Sequence, residues 1–429
     1  MKKNISNIFI FAFLFFIVSQ NIQGQGLGNS PYSSLGLGER YSNAYSENLS
    51  MAGLGVASVF GSSSGLYVNN LNPGLLARNK FTVFSMGMNG QYKGLKTTTE
   101  SQRSFAMNLN YVNLSFPVKK HWSMGIAIQP YSYTNMALKS AEIAVPSDTT
   151  RYVTHFGAKG GITKLSWTNG WEHKELSVGI ETAVLFGQIK RTTDSQLQND
   201  GQFYAVNFVD QQNYNGLYYR LGAAWHHKLK KDKYLNFGFV MEPSKNINGE
   251  RVRTTQTFTN DGTPTTLGDT LANSILNTKV MLPSDYKLGI SFENNSKYTV
   301  FADVAIGKNS LFKNLTGVNE GLKDTFTFGM GIEYFPNFTS TKYLKRAVYR
   351  AGFSTGTSPY SNVKTGKQYT ESNLAFGIGL PLRNSSFINL GYTLGRRGSK
   401  NDSGILENNN KISIGFTLND IWFVKTKID

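Results

Sequence analysis

The strongest constraint on the fold is a two-residue alternation of apolar with small or polar side chains, which recurs along most of the chain. In residues 326–334, Phe, Phe, Met, Ile and Tyr alternate with Thr, Gly, Gly and Glu, and residues 374–380 and 412–418 repeat the pattern. Successive side chains of a β-strand point to opposite faces, so each such segment has one apolar face and one small or polar face. The pattern predicts a chain built mainly from β-strands.

A soluble β-sandwich alternates in the same way, and three further features favour a membrane barrel. The segments reach ten residues or more, which is the length that a tilted membrane-spanning strand needs. Their second face is rich in Gly, Ser, Thr and Asn rather than in charge, and aromatic residues cluster near segment ends. About fourteen such segments can be counted, an even number. We therefore predict an all-β protein, a transmembrane antiparallel β-barrel of about 14 strands.

The connections between these segments alternate between two kinds. One kind is short and often basic, as at 119–121, and the other is long and polar, as at 192–213 and 243–279. Periplasmic turns of bacterial barrels are short and outer loops are long, so the N- and C-termini should both lie in the periplasm. For the basic turns, contact with lipid headgroups is the favoured interpretation over a dedicated protein-docking patch.

The first residues have the layout of a secretory signal peptide. Two lysines precede an apolar run at 8–18, which polar residues follow, and cleavage after Gly24 is expected. The net charge is +17 and the chain has no cysteine. An exported chain does not meet nucleic acid, so the expected partners are the lipids and lipopolysaccharide of a Gram-negative outer membrane. The lack of cysteine excludes disulfides and thiolate metal sites.

Residues 25–79 do not alternate and are rich in Gly and Ser. A barrel of about fourteen strands has a lumen too wide for side chains alone to fill. A free N-terminal segment can fold into that lumen as a plug. The predicted organisation is a signal peptide at 1–24, a hatch (plug) at 25–79, the barrel at 80–418 and a periplasmic tail at 419–429.

Three short motifs lie within this hatch: AGLG at 52–55, GSSS at 61–64 and Asn-Pro-Gly at 72–74. Together they resemble the hatch of the long-chain fatty-acid transporter (FadL-type) family of outer-membrane barrels. The resemblance implies a fourteen-stranded barrel with an N-terminal hatch. The Gly of the last motif, in place of the usual Ala, and the unusual C-terminal end indicate a divergent branch. The candidate hatch residues are Gly53, Gly55, Asn72, Pro73 and Gly74.

The second and third predicted strands contain irregularities. In the second strand the apolar parity changes after Tyr111, which predicts a β-bulge. Pro130, in the third strand, has no N–H to donate to a ladder. In the FadL-type family an inward kink of the third strand opens a lateral window, so Pro130 is the candidate for such an opening. The alternative is that Pro130 lies above the membrane, where the strand already frays, and both interpretations remain open.

Two functions follow from the resemblance. The first is passive uptake of a hydrophobic small molecule, fatty-acid-like or aromatic, through the outer membrane without a cofactor. The alternative is a non-transporting accessory β-barrel subunit of an outer-membrane protein assembly or secretion complex, with another outer-membrane protein as partner. We predict no enzyme, because no G-x-S-x-G motif with a suitable histidine is present. We predict no metal site, because His226 and His227 are adjacent on a strand and face opposite sides.

Overall fold

The structure is a computed structural model. It describes residues 30–59, 67–140, 142–144, 151–199, 202–230, 232–258, 274–294, 297–337, 339–362, 365–382, 386–400 and 404–420. The predicted signal peptide, the GSSS motif at 61–64 and residues 421–429 of the predicted tail lie outside the described residues. Among the described residues, no helix has the length and apolar character needed to cross a bilayer.

Strands dominate the described part of the chain. They are β1 (Glu39–Arg40), β2 (Thr82–Lys96), β3 (Ser101–Lys119), β4 (Trp122–Lys139), β5 (Ile143–Ala144), β6 (Arg151–His173), β7 (Leu176–Asn199), β8 (Gln202–Lys230), β9 (Lys233–Glu242), β10 (Lys245–Phe258), β11 (Ser274–Leu282), β12 (Ser284–Asn294), β13 (Tyr298–Lys308), β14 (Thr325–Tyr334), β15 (Val348–Ser361), β16 (Gln368–Pro381), β17 (Phe387–Gly398) and β18 (Leu406–Asp420). Short 3₁₀ turns lie at Pro31–Ser34, Pro73–Arg78, Asn309–Leu311 and Tyr343–Arg346, and a single helical turn lies at Ser46–Leu49.

The strands form one closed antiparallel barrel. Consecutive strands pair with one another, and β18 closes the ring by pairing with β2 from Leu406↔Lys96 to Asp420↔Thr82. β9 and β10 continue each other along the wall, as do β12 and β11, while β1 and β5 are two-residue additions. Fourteen barrel strands result, and the predicted fold is confirmed.

The alternation in the sequence separates the two faces of this wall. Outward-facing apolar side chains such as Leu288, Phe326 and Met330 are exposed. Inward-facing positions carry Gly, Ser, Asn and buried charges, including the pair Lys164–Glu181 at 2.7 Å. The wall thus has an apolar outside and a polar inside, as expected for a barrel that is embedded in lipid.

The predicted bulge in the second strand is confirmed. The register of β2 with β3 shifts between Gly87, which pairs with Tyr111, and Met88, which pairs with Leu109. Asn110 is the extra residue between those pairs, and it restores the apolar parity toward the outside.

One side of the barrel rises above the rest. β6, β7 and β8 contain 23, 24 and 29 residues, whereas β13 and β14 contain 11 and 10. The upper part of β8 pairs with β10, and β10 pairs with β11. We call the upper parts of these five strands the projecting sheet.

The projecting sheet corrects one sequence prediction. Residues 192–213 and much of 243–279 were expected to be long polar loops, but most of the described residues there belong to β7, β8, β10 and β11. Their sequence does not alternate clearly because both faces of the sheet carry polar side chains. Pairs such as Arg251 with Asp210 and Gln188 with Asn213 lie on its two faces.

Candidate functional site

The described residues of the N-terminal segment, 30–59 and 67–79, lie inside the barrel. Most of them are buried, although regular structure is limited to β1 and three short turns. The segment makes hydrogen bonds to inward-facing groups of strands on all sides of the wall. Examples are Ser30 Oγ to Glu407 of β18 at 2.7 Å and Asn72 Nδ2 to the carbonyl of Ala223 in β8 at 2.9 Å. We call residues 30–79 the N-terminal segment.

Inward-facing glycines let this segment approach the wall closely. A Cβ on Gly352 would lie 2.6 Å from the backbone carbonyl of Met51, and one on Gly238 would lie 2.5 Å from the carbonyl oxygen of Val56. Both distances are too short for any side chain, so only glycine fits there. The glycines in this position, each on a different strand, are Gly170, Gly179, Gly222, Gly238, Gly352, Gly377 and Gly415.

The Asn-Pro-Gly motif packs against β7 and β8. Asn72 is fully buried and begins the 3₁₀ turn at Pro73–Arg78, and its Oδ1 accepts a hydrogen bond from the N–H of Gly74 at 2.9 Å. Pro73 contacts Gly179 of β7, and Gly74 approaches the carbonyl of Gly222 of β8. The three residues together form one close contact between the segment and the wall.

The AGLG motif contacts the barrel wall at β13, three strands round the ring from β8. The carboxylate of Asp303 in β13 accepts hydrogen bonds from the N–H of Gly55 at 2.6 Å and of Val56 at 3.0 Å. Gly55 has φ +117°, a conformation that favours glycine. Gly53 also has a positive φ, and a Cβ there would meet Ser42 Oγ of the same segment at 3.7 Å.

Two charged residues of β1 connect distant strands. Glu39 forms ion pairs with Lys93 of β2 at 2.9 Å and with Arg397 of β17 at 2.6 Å. Arg40 pairs with Glu242 of β9 at 2.9 Å and with Asp285 of β12. Burial alone would raise the pKa of Glu39, but the charges of Lys93 and Arg397 outweigh it and hold that pKa well below its usual range. The segment is thereby held by ion pairs across the width of the lumen.

A second acidic residue of the segment, Glu47, is buried without an ion pair of its own among the described residues. Its Oε1 accepts hydrogen bonds from Asn389 and Thr417, each at 2.9 Å, while Oε2 has no hydrogen-bond partner. Burial raises the pKa of Glu47 above its usual value, although the charge of Arg350 opposes this.

The barrel wall is incomplete near Pro130. The pairing of β3 with β4 runs only from Lys119↔Trp122 to Val112↔Ile128. Beyond Ile128, β4 pairs with β6 alone among the barrel strands, with a register shift between Pro130 and Ser132. Residues 101–111 of β3 pair with β2 and not with β4. The two strands therefore separate above the level of Ile128.

The N-terminal segment occupies this gap from the inside. β1 pairs with β4 through Glu39↔Tyr133 and Arg40↔Ser132. Tyr41 bridges the two edges, because its N–H donates to the carbonyl of Tyr131 in β4 at 2.9 Å and its hydroxyl accepts from Asn108 of β3 at 3.2 Å. The segment thus supplies the hydrogen bonds that β3 does not.

A cavity of about 400 Å³ remains in the lumen next to β1. Its lining mixes apolar side chains such as Phe312 and Leu322 with many charged groups. The charged residues that line it include Glu39, Arg40, Glu242, Asp285, Arg397 and Lys411.

Sequence reasoning missed the roles of Glu39 and Arg40. The available signal was that they form an adjacent pair of opposite charges within a stretch otherwise rich in Gly and Ser. The two histidines singled out earlier make separate contacts, His226 with Asn236 and His227 with Glu175. Across the described ranges, no cluster of three or more potential metal-binding side chains occurs.

Solved structures with the same fold include toluene transporters and a FadL homologue. The Ralstonia pickettii toluene transporter TbuX matches with a TM-score of 0.56 and 14% identity over 88% of this chain and 98% of its own. The Pseudomonas putida toluene transporter TodX matches with 0.53 and 12% over 89% and 100%. A Pseudomonas aeruginosa FadL homologue matches with 0.53 and 12% over 88% and 97%. At such identities the likeness shows the fold alone, and at that level the resemblance to FadL-type barrels is confirmed.

By sequence, the chain matches the model of a different family from that of these channels. No curated protein sequence is detectably similar to the chain. The model of the BamG family matches residues 1–429, which is the whole sequence, and the chain therefore belongs to the BamG family.

Proposed function

We propose that this protein is a sealed barrel of the outer membrane that serves as an accessory subunit of a protein assembly or secretion complex. The observation that carries the proposal is the position of the N-terminal segment, which crosses the lumen and also lies at the gap between β3 and β4. It forms ion pairs with β2, β9, β12 and β17, and it pairs with the free edge of β4. Both termini would lie on the periplasmic side.

The chemistry of the remaining cavity supports the same proposal. A path for a hydrophobic compound should present mainly apolar surface with few polar groups. Here the cavity beside β1 is lined by several carboxylates and cations, which a hydrophobic molecule would have to desolvate. The chain belongs to the BamG family, and it is only 14% and 12% identical to the toluene transporters TbuX and TodX. Both findings also favour the accessory role.

A second function, passive uptake of hydrophobic compounds, is favoured by the separation of β3 from β4. Toluene transporters share this fold, and the gap near Pro130 lies where a lateral exit into the bilayer would be needed. On this proposal the N-terminal segment is a gate. Residues 30–41 would have to leave the edge of β4 for a compound to pass.

A reversible disulfide distinguishes the two functions. Arg40 and Ser132 are paired across β1 and β4, and the chain has no other cysteine, so the variant R40C/S132C can be cross-linked without competing thiols. The single variants R40C and S132C are the controls. Under the accessory role the oxidised double variant supports assembly as well as R40C alone does.

The contrary outcome is a loss of toluene uptake on oxidation that a reductant restores, with both single variants unaffected. That result would establish the segment as a moving gate and overturn the sealed barrel.

A further test is gentle purification, since the accessory role requires a stoichiometric protein partner. Deleting residues 26–72 should raise leakage of polar dyes, and unchanged leakage would show that the segment is not a plug.

A further inference from the structure

Within the described part of the chain, the projecting sheet ends in a strand edge that is almost unpaired. β11 pairs with β10 from Leu282↔Lys245 to Ser274↔Arg253 on one side. On its other side, the described residues contribute one isolated bridge, between Met281 and Lys313. The neighbouring wall strand does not continue upward, because β13 ends at Lys308 and the chain then enters the 3₁₀ turn Asn309–Leu311.

The bridge shows which backbone groups of β11 point outward. The N–H of Met281 donates to the carbonyl of Lys313 at 3.3 Å, so the backbone of Met281 faces the free side. Alternate residues of an antiparallel strand direct their N–H and C=O groups to the same edge. The backbone groups of Ile275, Asn277 and Lys279 therefore point to this free edge. Such a row of donors and acceptors is a template for one more strand.

The side chains along this edge define what it would accept. Ile275 is 61% exposed, and Asn277 and Lys279 are exposed on the same face of the sheet. A charged or prolyl residue commonly protects a free edge from added strands, and here Lys279 is the one cation in the row. A paired strand would gain most from an apolar residue near Ile275 and an acidic residue near Lys279.

A concave apolar surface lies on the outside of the barrel, on the wall strands below this edge. It is formed by β7, β8, β9, β12, β13 and β14, and its walls include Trp225, Phe237 and Leu288 around Ala223 and Ala302. β9 and β12 are the wall strands that β10 and β11 continue upward. The groove and the free edge therefore lie along the same continued strands of the wall, and the apolar groove suits a neighbour that is itself embedded in the membrane.

We propose that the free edge of β11, residues 275–279, binds an extended segment of a neighbouring outer-membrane protein as an added β-strand, with an apolar residue of that segment opposite Ile275 and an acidic one opposite Lys279. The inference rests on the accessory role and names the surface through which it operates. Main-chain hydrogen bonds supply the affinity in this mode of recognition, and the alternating side chains supply the specificity.

The test uses the full-length protein purified together with its stoichiometric partner. Asn277→Pro removes one outward N–H without removing a bond to β10, and Asn277→Ala is the matched control that keeps the N–H. We expect Asn277→Pro to lower the recovered partner at least tenfold, Asn277→Ala to leave it unchanged and Lys279→Glu to lower it severalfold. Heat-modifiable migration in gels checks that each variant still forms the barrel.

A photoreactive residue at position 277 identifies the occupant, with position 143 on β5, at the other edge of the projecting sheet, as control. Cross-linking from 277 alone, to one extended segment of the partner located by peptide mass spectrometry, supports the proposal. An adduct of two copies of this chain, equal cross-linking from 143, or full recovery of partner with Asn277→Pro overturns it. If no stoichiometric partner is recovered with the unaltered chain, the accessory role itself fails.

Discussion

At the scale of single residues, the lumen is organised by complementary small and charged groups. Glycines on the inner wall leave room for the backbone of the N-terminal segment, and the charges of Glu39 and Arg40 find partners on four strands. Close steric fit thus holds residues 46–77 of the segment against the wall, and ion pairs hold β1.

Gly352→Ala should loosen the segment. Its Cβ would lie 2.6 Å from backbone atoms of Met51, which cannot move as a side chain can. The expected cost is about 1–3 kcal/mol, as for other overpacked sites. It is measured as faster amide exchange in residues 48–54. The control is Gly94→Ala, where a Cβ would meet no atom within 4 Å; equal exchange in both variants would contradict the steric account.

Glu47 should contribute to the pH dependence of the docked segment. Because burial raises its pKa in the folded state, docking is strongest below the ordinary glutamate pKa and weakens as pH rises through the raised value. Glu47→Gln keeps an acceptor for Asn389 and Thr417 and cannot ionise. We expect amide protection of the segment to decline less with rising pH in this variant than in the unaltered chain. An equal decline in both would show that Glu47 does not contribute.

Glu39 should behave in the opposite sense. Its pKa is depressed, so its contribution is present above the ordinary glutamate pKa and is lost only as pH falls through the depressed value. The ion pairs with Lys93 and Arg397 should therefore persist throughout the range in which Glu47 titrates.

At the scale of elements, the most important feature is the gap between β3 and β4. Pro130 lies at the point where the pairing stops, and a proline cannot donate to a neighbouring strand. β1 then takes the place that β3 leaves. An irregularity in one strand thereby becomes a docking edge for the N-terminal segment.

Deleting residues 30–41 should expose that edge. The carbonyls of Tyr131 and Asn135 accept hydrogen bonds from Tyr41 and Ser30. We expect amide exchange of residues 131–135 to accelerate at least tenfold, equivalent to about 1.4 kcal/mol or more of lost local stability. Residues 123–128 pair with β3 and provide an internal control. Unchanged exchange at 131–135 would mean that the edge is protected in another way.

At the scale of the whole molecule, the outer surface is the reverse of that of a water-soluble protein. Leu288 is 58% exposed on the barrel wall, and Leu344 is 62% exposed in the turn Tyr343–Arg346. In water, replacing either leucine with lysine would change the stability of the protein very little. In a bilayer, only the position on the wall is desolvated.

Leu288→Lys should therefore destabilise the barrel by about 2–4 kcal/mol, the cost of a lysine near the bilayer midplane. Leu344→Lys should change its stability by less than about 0.5 kcal/mol, as a typical surface substitution does. The measurement is reversible urea unfolding in lipid vesicles. Equal, small effects would be incompatible with lipid around the wall.

Local sequence was sufficient to predict the fourteen barrel strands and the bulge in β3, because alternation is a property of each strand alone. The same reasoning mistook much of 192–213 and 243–279 for loops, because strands that are solvated on both faces need not alternate. It placed Pro130 at an irregular position but had no means of knowing that β3 and β4 part there.

Only the tertiary structure decided which residues meet. Glu39 and Arg397 are 358 positions apart, and no periodicity within either strand relates them. The glycines of the inner wall are visible in the sequence, but their match to Met51, Val56 and Pro73 depends on how the segment lies in the lumen. Closing the barrel sets these distances, since ring closure brings strands from both ends of the chain around a single space.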